Sequence, residues 1–419
     1  MQPTEAIREA VAALWAELPA LVGPDWRAVE PALMALLRKL DSPPDAQQAA
    51  SDIIDLFGRY PEARQRLLAG VAQLVGRQIK GVPEVPLPSA RRERFTVVPV
   101  CYATDRAATG ALAADVFYGG ERGELAFGIA EVSIPDDHRM GELEKPRWWR
   151  LEFRADPARH VVLLDVRPLE RAIFVARARE MLQGLARPHV LVFVHGFNVS
   201  FADAARRTAQ IAYDLQFDGV PMLYSWPSAA QVHKYTVDET NIRWTQVHFR
   251  QFLQLCAGEL GAQAVHVIAH SMGNRALAET LALPDAERPP HAARLREVIL
   301  AAPDIDAATF RQLAAQFHNQ ADRCTLYASS KDEALKLSKQ VHGYPRAGDS
   351  GAGLTIVAGV DTIDATDIDT SLVGHSYYGD NRSILSDIFY LLKDGTAPGQ
   401  RFGLVPIETE GLRYWTFRG

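Results

Sequence analysis

Three side chains that acyl chemistry needs lie in order along this chain: an alcohol at Ser271, a carboxylate at Asp332 and an imidazole at His375. A serine hydroxyl is a weak nucleophile until a base takes its proton and a third group orients that base. Ser271 stands in "VHVIAHSMGNRALAETLA" (265–282), where an apolar run meets a helical pattern at His270-Ser271-Met272-Gly273. A strand that turns abruptly into a helix crowds its own backbone, so the residues two before and two after the apex must be small. Here they are Ala269 and Gly273. The apex residue is then strained and its side chain exposed above the sheet edge. The helix that begins there turns its first amides toward charge forming at the hydroxyl. A plain helix cap is the bland alternative for Ser271.

A nucleophile on such a turn needs a base and an acid to orient it, and candidates for both follow it along the chain. His375 sits in "SLVGHSYYGD", a loop before a final helical pattern. Asp332 in "LYASSKDEALKLS" directly follows a strand pattern, so its carboxylate belongs at the carboxyl edge of the sheet, where ligands bind in such folds. Asp304 in "AAPDID", one strand earlier, is the alternative acid. The second oxyanion donor belongs to the loop after an early strand: in "FVHGFN" the amide of Phe197 joins that of Met272, and His195 orients this loop through hydrogen bonds. Tyr224 and Trp226 in "YSWPS" leave the end of another strand and either line an acyl pocket or pack in the core.

Elements at matching intervals must position these groups. Residues 1–82 show only helical spacing, as at Ile7, Val11, Leu14 and Leu18, and read as a small helical bundle. Pro83, Pro86 and Pro88 make 83–94 an extended linker. From 95 to 419, strand patterns at 95–104, 124–135, 160–169, 189–194, 220–227, 264–270, 296–304, 323–330 and 354–361 come to alternate with helical ones, including one over 239–260. Such alternation predicts an α/β domain, a mainly parallel sheet with helices on both faces.

The quoted stretches, with "VLVFVHGFN", "VILAAPDID" and "GHSYY", resemble the alpha/beta-hydrolase superfamily. "VPVCYATDR" (98–106) and "FYGGERGELAFGIAEVSIP" (117–135) narrow the resemblance to a bacterial esterase-like branch long classed as a domain of unknown function. It covers about residues 95–395. It implies a serine hydrolase acting on a small acyl ester, a triad matching Ser271, Asp332 and His375, and neither metal nor organic cofactor. Ala269 departs from the glycine more usual at that position. The helical bundle lies outside the resemblance; a protein-binding module that recruits or restrains a lipase, thioesterase, amidase or acyltransferase is the alternative reading.

Composition bounds the rest. Hydrophobic residues make up 47% and charged ones 23%, an ordinary globular balance. A net charge of -6 gives no reason to expect nucleic acid. No run of about 18 apolar residues predicts a membrane span, and the N-terminal stretch lacks the pattern of a secretory leader. The three cysteines, Cys101, Cys256 and Cys324, are too few and too scattered for a disulfide framework and fit a cytoplasmic protein. Asp361, Asp364, Asp367 and Asp369 do not have the spacing of an EF-hand loop.

Overall fold

The computed structural model describes residues 11–15, 17–39, 94–144, 155–282, 295–317, 320–331, 343–366, 382–409 and 411–418, with single positions between 49 and 67 and at 335 and 338. The chain divides into two compact units, residues 1–92 and 93–419.

Within the first unit, α1 (Leu18–Val22) and α2 (Trp26–Lys39) are separated by a 3-10 turn at Gly23–Asp25. Gly23 takes φ 72 and stops α1. The helical spacing of Leu18, Val22, Val29 and Leu33 brings these side chains into one apolar cluster with Ile53, Phe57 and Leu67, the arrangement an amphipathic bundle needs.

The second unit is built on an eleven-stranded sheet in the order β10-β11-β9-β8-β7-β6-β4-β5-β1-β2-β3. Its strands are β1 (Phe95–Ala108), β2 (Tyr118–Pro135), β3 (Val162–Leu169), β4 (His189–Val194), β5 (Val220–Ser225), β6 (Ala264–His270), β7 (Leu295–Ala301), β8 (Ala321–Ala328), β9 (Asp361–Asp364), β10 (Leu404–Thr409) and β11 (Leu412–Phe417). The stretch β5-β4-β6-β7-β8-β9 is parallel throughout. The segments β1-β2-β3 and β10-β11 are antiparallel. Every residue of β4 and β5 is buried, as strands covered on both faces must be.

Helices supply the two covers. On one face α4 (Phe201–Asp214) and α9 (Arg382–Asp394) pack Phe201, Ala205, Ile384 and Ile388 against Leu191, Phe193 and Ile268 of the sheet. On the other face lie α3 (Arg171–Gln183), α5 (Tyr235–Trp244), α6 (Gln246–Gly258), α7 (Gly273–Leu281) and α8 (Ala307–Ala314). They pack Phe174, Phe249, Phe252, Leu277 and Phe310 against Val192, Val267 and Leu300. Alternate residues of one strand thus face opposite cores. Each fully buried phenylalanine contributes about 2–3 kcal/mol.

Three elements differ from the sequence reading. The pattern over 239–260 forms two helices that meet at Thr245, which ends α5 and starts α6. The strand expected at 354–361 falls later, at Asp361–Asp364, because Gly359 at φ 83 turns the chain and the Val360 N–H closes on the Val357 carbonyl. The β10–β11 hairpin was not expected at all. No helix among the described residues is long and apolar enough to cross a membrane.

After β4 the chain crosses to β5 on one flank and returns to β6 on the other. Strand order reverses here, and the helices that follow β4 and β6 lie on opposite faces of the sheet, the place where ligands bind in such folds. The loops after β4 and β6 carry the residues singled out by their chemistry.

Candidate active site

β6 runs into α7 through Ser271, which adopts φ 48. A non-glycine residue there costs about 1–2 kcal/mol and needs surroundings that hold it. Those surroundings are hydrogen bonds to backbone on both sides. The Ser271 N–H donates to the Ala301 carbonyl at 2.9 Å, and the Ser271 carbonyl accepts from the N–H groups of Asn274 at 3.2 Å and Asp304 at 3.1 Å. The Asn274 side-chain amide adds contacts to the carbonyls of Ala269, Ser271 and Ala301 at 3.0–3.2 Å. Asn274 is buried and ties the turn to the end of β7, a role the sequence reading did not assign. Among the described residues nothing hydrogen-bonds the Ser271 hydroxyl, so it does not cap α7.

Two glycines let the turn close on β4. A Cβ on Gly273 would lie 2.5 Å from the His195 carbonyl oxygen and 3.0 Å from that of Val194. A Cβ on Gly196 would lie 2.9 Å from Cβ of Ser271. The loop after β4 therefore touches the Ser271 turn directly. Ser200 ends that loop by capping α4, its hydroxyl accepting from the Asp203 N–H at 3.1 Å. Among the described residues the N–H groups of Met272 and Phe197 find no acceptor. Unpaired amides beside a buried turn are uncommon in a folded chain.

His195 is fully buried and stacked on Trp226 at a centroid distance of 5.0 Å. Its Nδ1 is 2.8 Å from the Gly196 carbonyl, and its Nε2 is 3.2 Å from Nη2 of Arg106. Guanidinium only donates, so Nε2 accepts and Nδ1 carries the proton. Burial holds its pKa well below the ordinary histidine value, and the Arg106 charge adds to this. His195 is thus a neutral loop-orienting group with both nitrogens occupied.

The model of one family, alpha/beta hydrolase of unknown function (DUF900), matches residues 174–392, more than half of the chain. The chain belongs to this family. No curated protein matches the chain.

In this alpha/beta hydrolase the matched span begins within α3 and ends within α9. It contains β4 with its loop, the Ser271 turn and the loops after β7, β8 and β9. Parallel pairing puts the exits of all these strands at one edge. Asp332 and His375 lie outside the described residues. The runs leading toward them leave the sheet together, for the Ser330 N–H donates to the Thr366 hydroxyl at 3.1 Å.

Asp304 comes to the turn through its backbone, but its side chain is engaged elsewhere. The buried carboxylate accepts from Tyr235 at 2.6 Å and from the Ser338 hydroxyl, and pairs with Arg275 at 3.3 Å and Arg346 at 3.4 Å. It is the hub of a buried charge cluster. Tyr224 and Trp226 are both 0% exposed, and the structure gives them core packing in place of pocket lining. The Tyr224 ring lies 5.0 Å from Phe249, and its hydroxyl donates to Asp105 at 3.0 Å. The Trp226 indole N–H donates to the His195 carbonyl at 2.8 Å. Tyr224 belongs to β5, which is buried on both faces, and Trp226 follows directly beyond its end. A groove of about 960 Å³ between β2, α3 and α6, lined by Phe127, Leu169, Arg171 and Leu255 among others, shares no residue with the turn.

Proposed function

We propose that this alpha/beta hydrolase cleaves carboxylic esters through an acyl-enzyme on Ser271, with His375 as base, Asp332 as its orienting acid and the amides of Met272 and Phe197 as oxyanion donors. The observation that carries the reading is the left-handed turn at Ser271, closed against the Gly196 loop by two glycines without room for a Cβ. His375 takes the hydroxyl proton as the oxygen attacks the acyl carbonyl carbon. The carbonyl π pair moves onto oxygen, where each donor is worth about 3 kcal/mol. Collapse breaks the bond to the leaving alcohol, which departs with the proton from the imidazolium. Water, deprotonated by the same imidazole, then attacks the acyl carbon and frees the acid and the serine. His195 is a poor rival for the base, since one nitrogen holds Gly196 and the other receives Arg106. Lipid esters, thioesters and amides, or transfer to another alcohol, use the same groups.

A fluorophosphonate probe followed by peptide mapping tests the nucleophile. The label is expected on the peptide that contains Ser271. Turnover of p-nitrophenyl butyrate with no label on that peptide would sink the proposal.

The two acids separate by what each loses. Asp332→Asn is expected to lower kcat about 10⁴-fold by releasing the imidazole from its working tautomer. Asp304→Asn is expected to keep kcat within about tenfold of wild type. It should cost about 3 kcal/mol in urea unfolding, because Arg275 and Arg346 lose a buried counter-charge. The opposite ranking of the two kcat values would make Asp304 the triad acid.

The N-terminal helices supply a second reading, motivated by their own core and compact unit. On it, residues 1–82 form a bundle joined by the linker 83–94 to the catalytic domain 95–419 and recruit or restrain it through a protein partner. Removing residues 1–92 would then change activity or partner capture. The three buried, unpaired thiols support a cytoplasmic, reducing location.

A further inference from the structure

Arg106, near the end of β1, is fully buried, and among the described residues no carboxylate contacts it. Its five N–H groups are all used. Nε donates to the Ser225 hydroxyl at 2.8 Å. One terminal nitrogen serves the Gly119 and Ser228 carbonyls, both at 2.9 Å. The other serves the Val199 carbonyl at 2.8 Å and Nε2 of His195 at 3.2 Å. One side chain thereby joins the loop after β4 to the loop after β5 and to the start of β2. Burying a cation this deeply is costly. Burial lowers its pKa to about 10, which leaves it charged at neutral pH, with Asp105 and Asp238 opposing the shift.

The consequence runs through one imidazole to one peptide plane. Arg106 can only donate, and the Ser225 hydroxyl, which accepts from Arg106 Nε, also lies 3.2 Å from His195 Nε2. With the Gly196 carbonyl able only to accept, His195 keeps its proton on Nδ1. That proton is given to the Gly196 carbonyl at 2.8 Å. The peptide between Gly196 and Phe197 is trans and planar, so its N–H points opposite to its carbonyl. Pinning the Gly196 oxygen toward His195 turns the Phe197 N–H away from the Arg106 side. Gly196 itself rests against Ser271.

We propose that Arg106 is the positioning residue of the oxyanion site: by fixing the His195 tautomer, it sets the direction of the Phe197 N–H. This rests on the reading of Phe197 as a donor to the ester-derived oxyanion. An interaction made only in the transition state affects kcat and leaves ground-state binding alone, and this separates positioning from general support of the fold.

The experiment uses the full chain with p-nitrophenyl butyrate and a fluorophosphonate. In Arg106→Gln, kcat and the rate of Ser271 labelling are expected to fall about tenfold or more, with KM within about twofold. In wild type, imidazole ¹⁵N shifts are expected to show His195 protonated on Nδ1 alone, its signal identified by loss in His195→Gln. A folded Arg106→Gln with wild-type kcat, or wild-type His195 protonated on Nε2, overturns the proposal while leaving the ester reading intact. If Arg106→Gln does not fold, Ser225→Ala, which among the described residues leaves Arg106 as the remaining donor to Nε2, decides: an Nδ1 proton and kcat near wild type are expected, and loss of both overturns the proposal. A wild-type chain that neither turns over esters nor accepts the label at Ser271 overturns the parent reading and this proposal with it.

Discussion

Ser271→Ala is expected to lower kcat for p-nitrophenyl esters at least about 10⁴-fold and to leave the fold intact. With the attacking oxygen gone, what remains is catalysis by binding and oxyanion stabilisation, a small residue of the whole. The companion variant Ser271→Gly tests the origin of the strain. Alanine keeps a Cβ at φ 48, and glycine removes it at an angle glycine adopts freely. Both variants should be equally inactive, with the glycine form about 1 kcal/mol more stable than the alanine form in urea unfolding. Wild-type rates in either variant would end the assignment of Ser271. Equal stability of the two would mean that the turn stores no strain.

Gly273→Ala is expected to damage stability and activity together. Its methyl would sit 2.5 Å from the His195 carbonyl oxygen and 3.0 Å from that of Val194. Both atoms are backbone, at the buried end of β4 and just beyond it, so no rotamer change relieves the contact. Either α7 or the loop after β4 must move. Overpacking of this kind costs about 1–3 kcal/mol, and the upper end applies where backbone must yield. The same movement parts Ser271 from Gly196 and Phe197, and a misplacement near 1 Å in a catalytic site costs about 10²-fold in rate. Urea unfolding and kcat measured on one preparation check both. A Gly273→Ala chain as stable and as active as wild type would mean that the turn is not packed as described.

The shape of the Ser271 turn was legible because sterics write it into residue types, but its side chain, expected to be exposed, is buried at 2% exposure. An apolar strand, a small residue on each side of the apex and a helix after it leave few other shapes. The parallel core was legible for a similar reason, since β4 and β5 are continuous apolar runs. Other features leave no such trace. The β10–β11 hairpin contains Pro406 and charged residues, and much of it is exposed, so it lacks strict alternation. The joint at Thr245 interrupts no hydrophobic period. The Val-rich run at 354–361 reads as a strand until Gly359 bends it. Arg106 and Asn274 were missed because their partners are carbonyls and side chains brought close only by folding. The roles given to Tyr224 and Trp226 turned on which way a strand end faces, and periodicity does not encode that.

Cys101, Cys256 and Cys324 are all buried and unpaired, and burial raises the thiols of Cys101 and Cys324 to about 12. A thiol in that state holds almost no thiolate at neutral pH, so maleimides and iodoacetamide should pass the native chain by. The wild-type protein is then its own blank for fluorescence work. A cysteine introduced at exposed Tyr344 or Phe402 would take up a dye alone, with no native cysteine first removed.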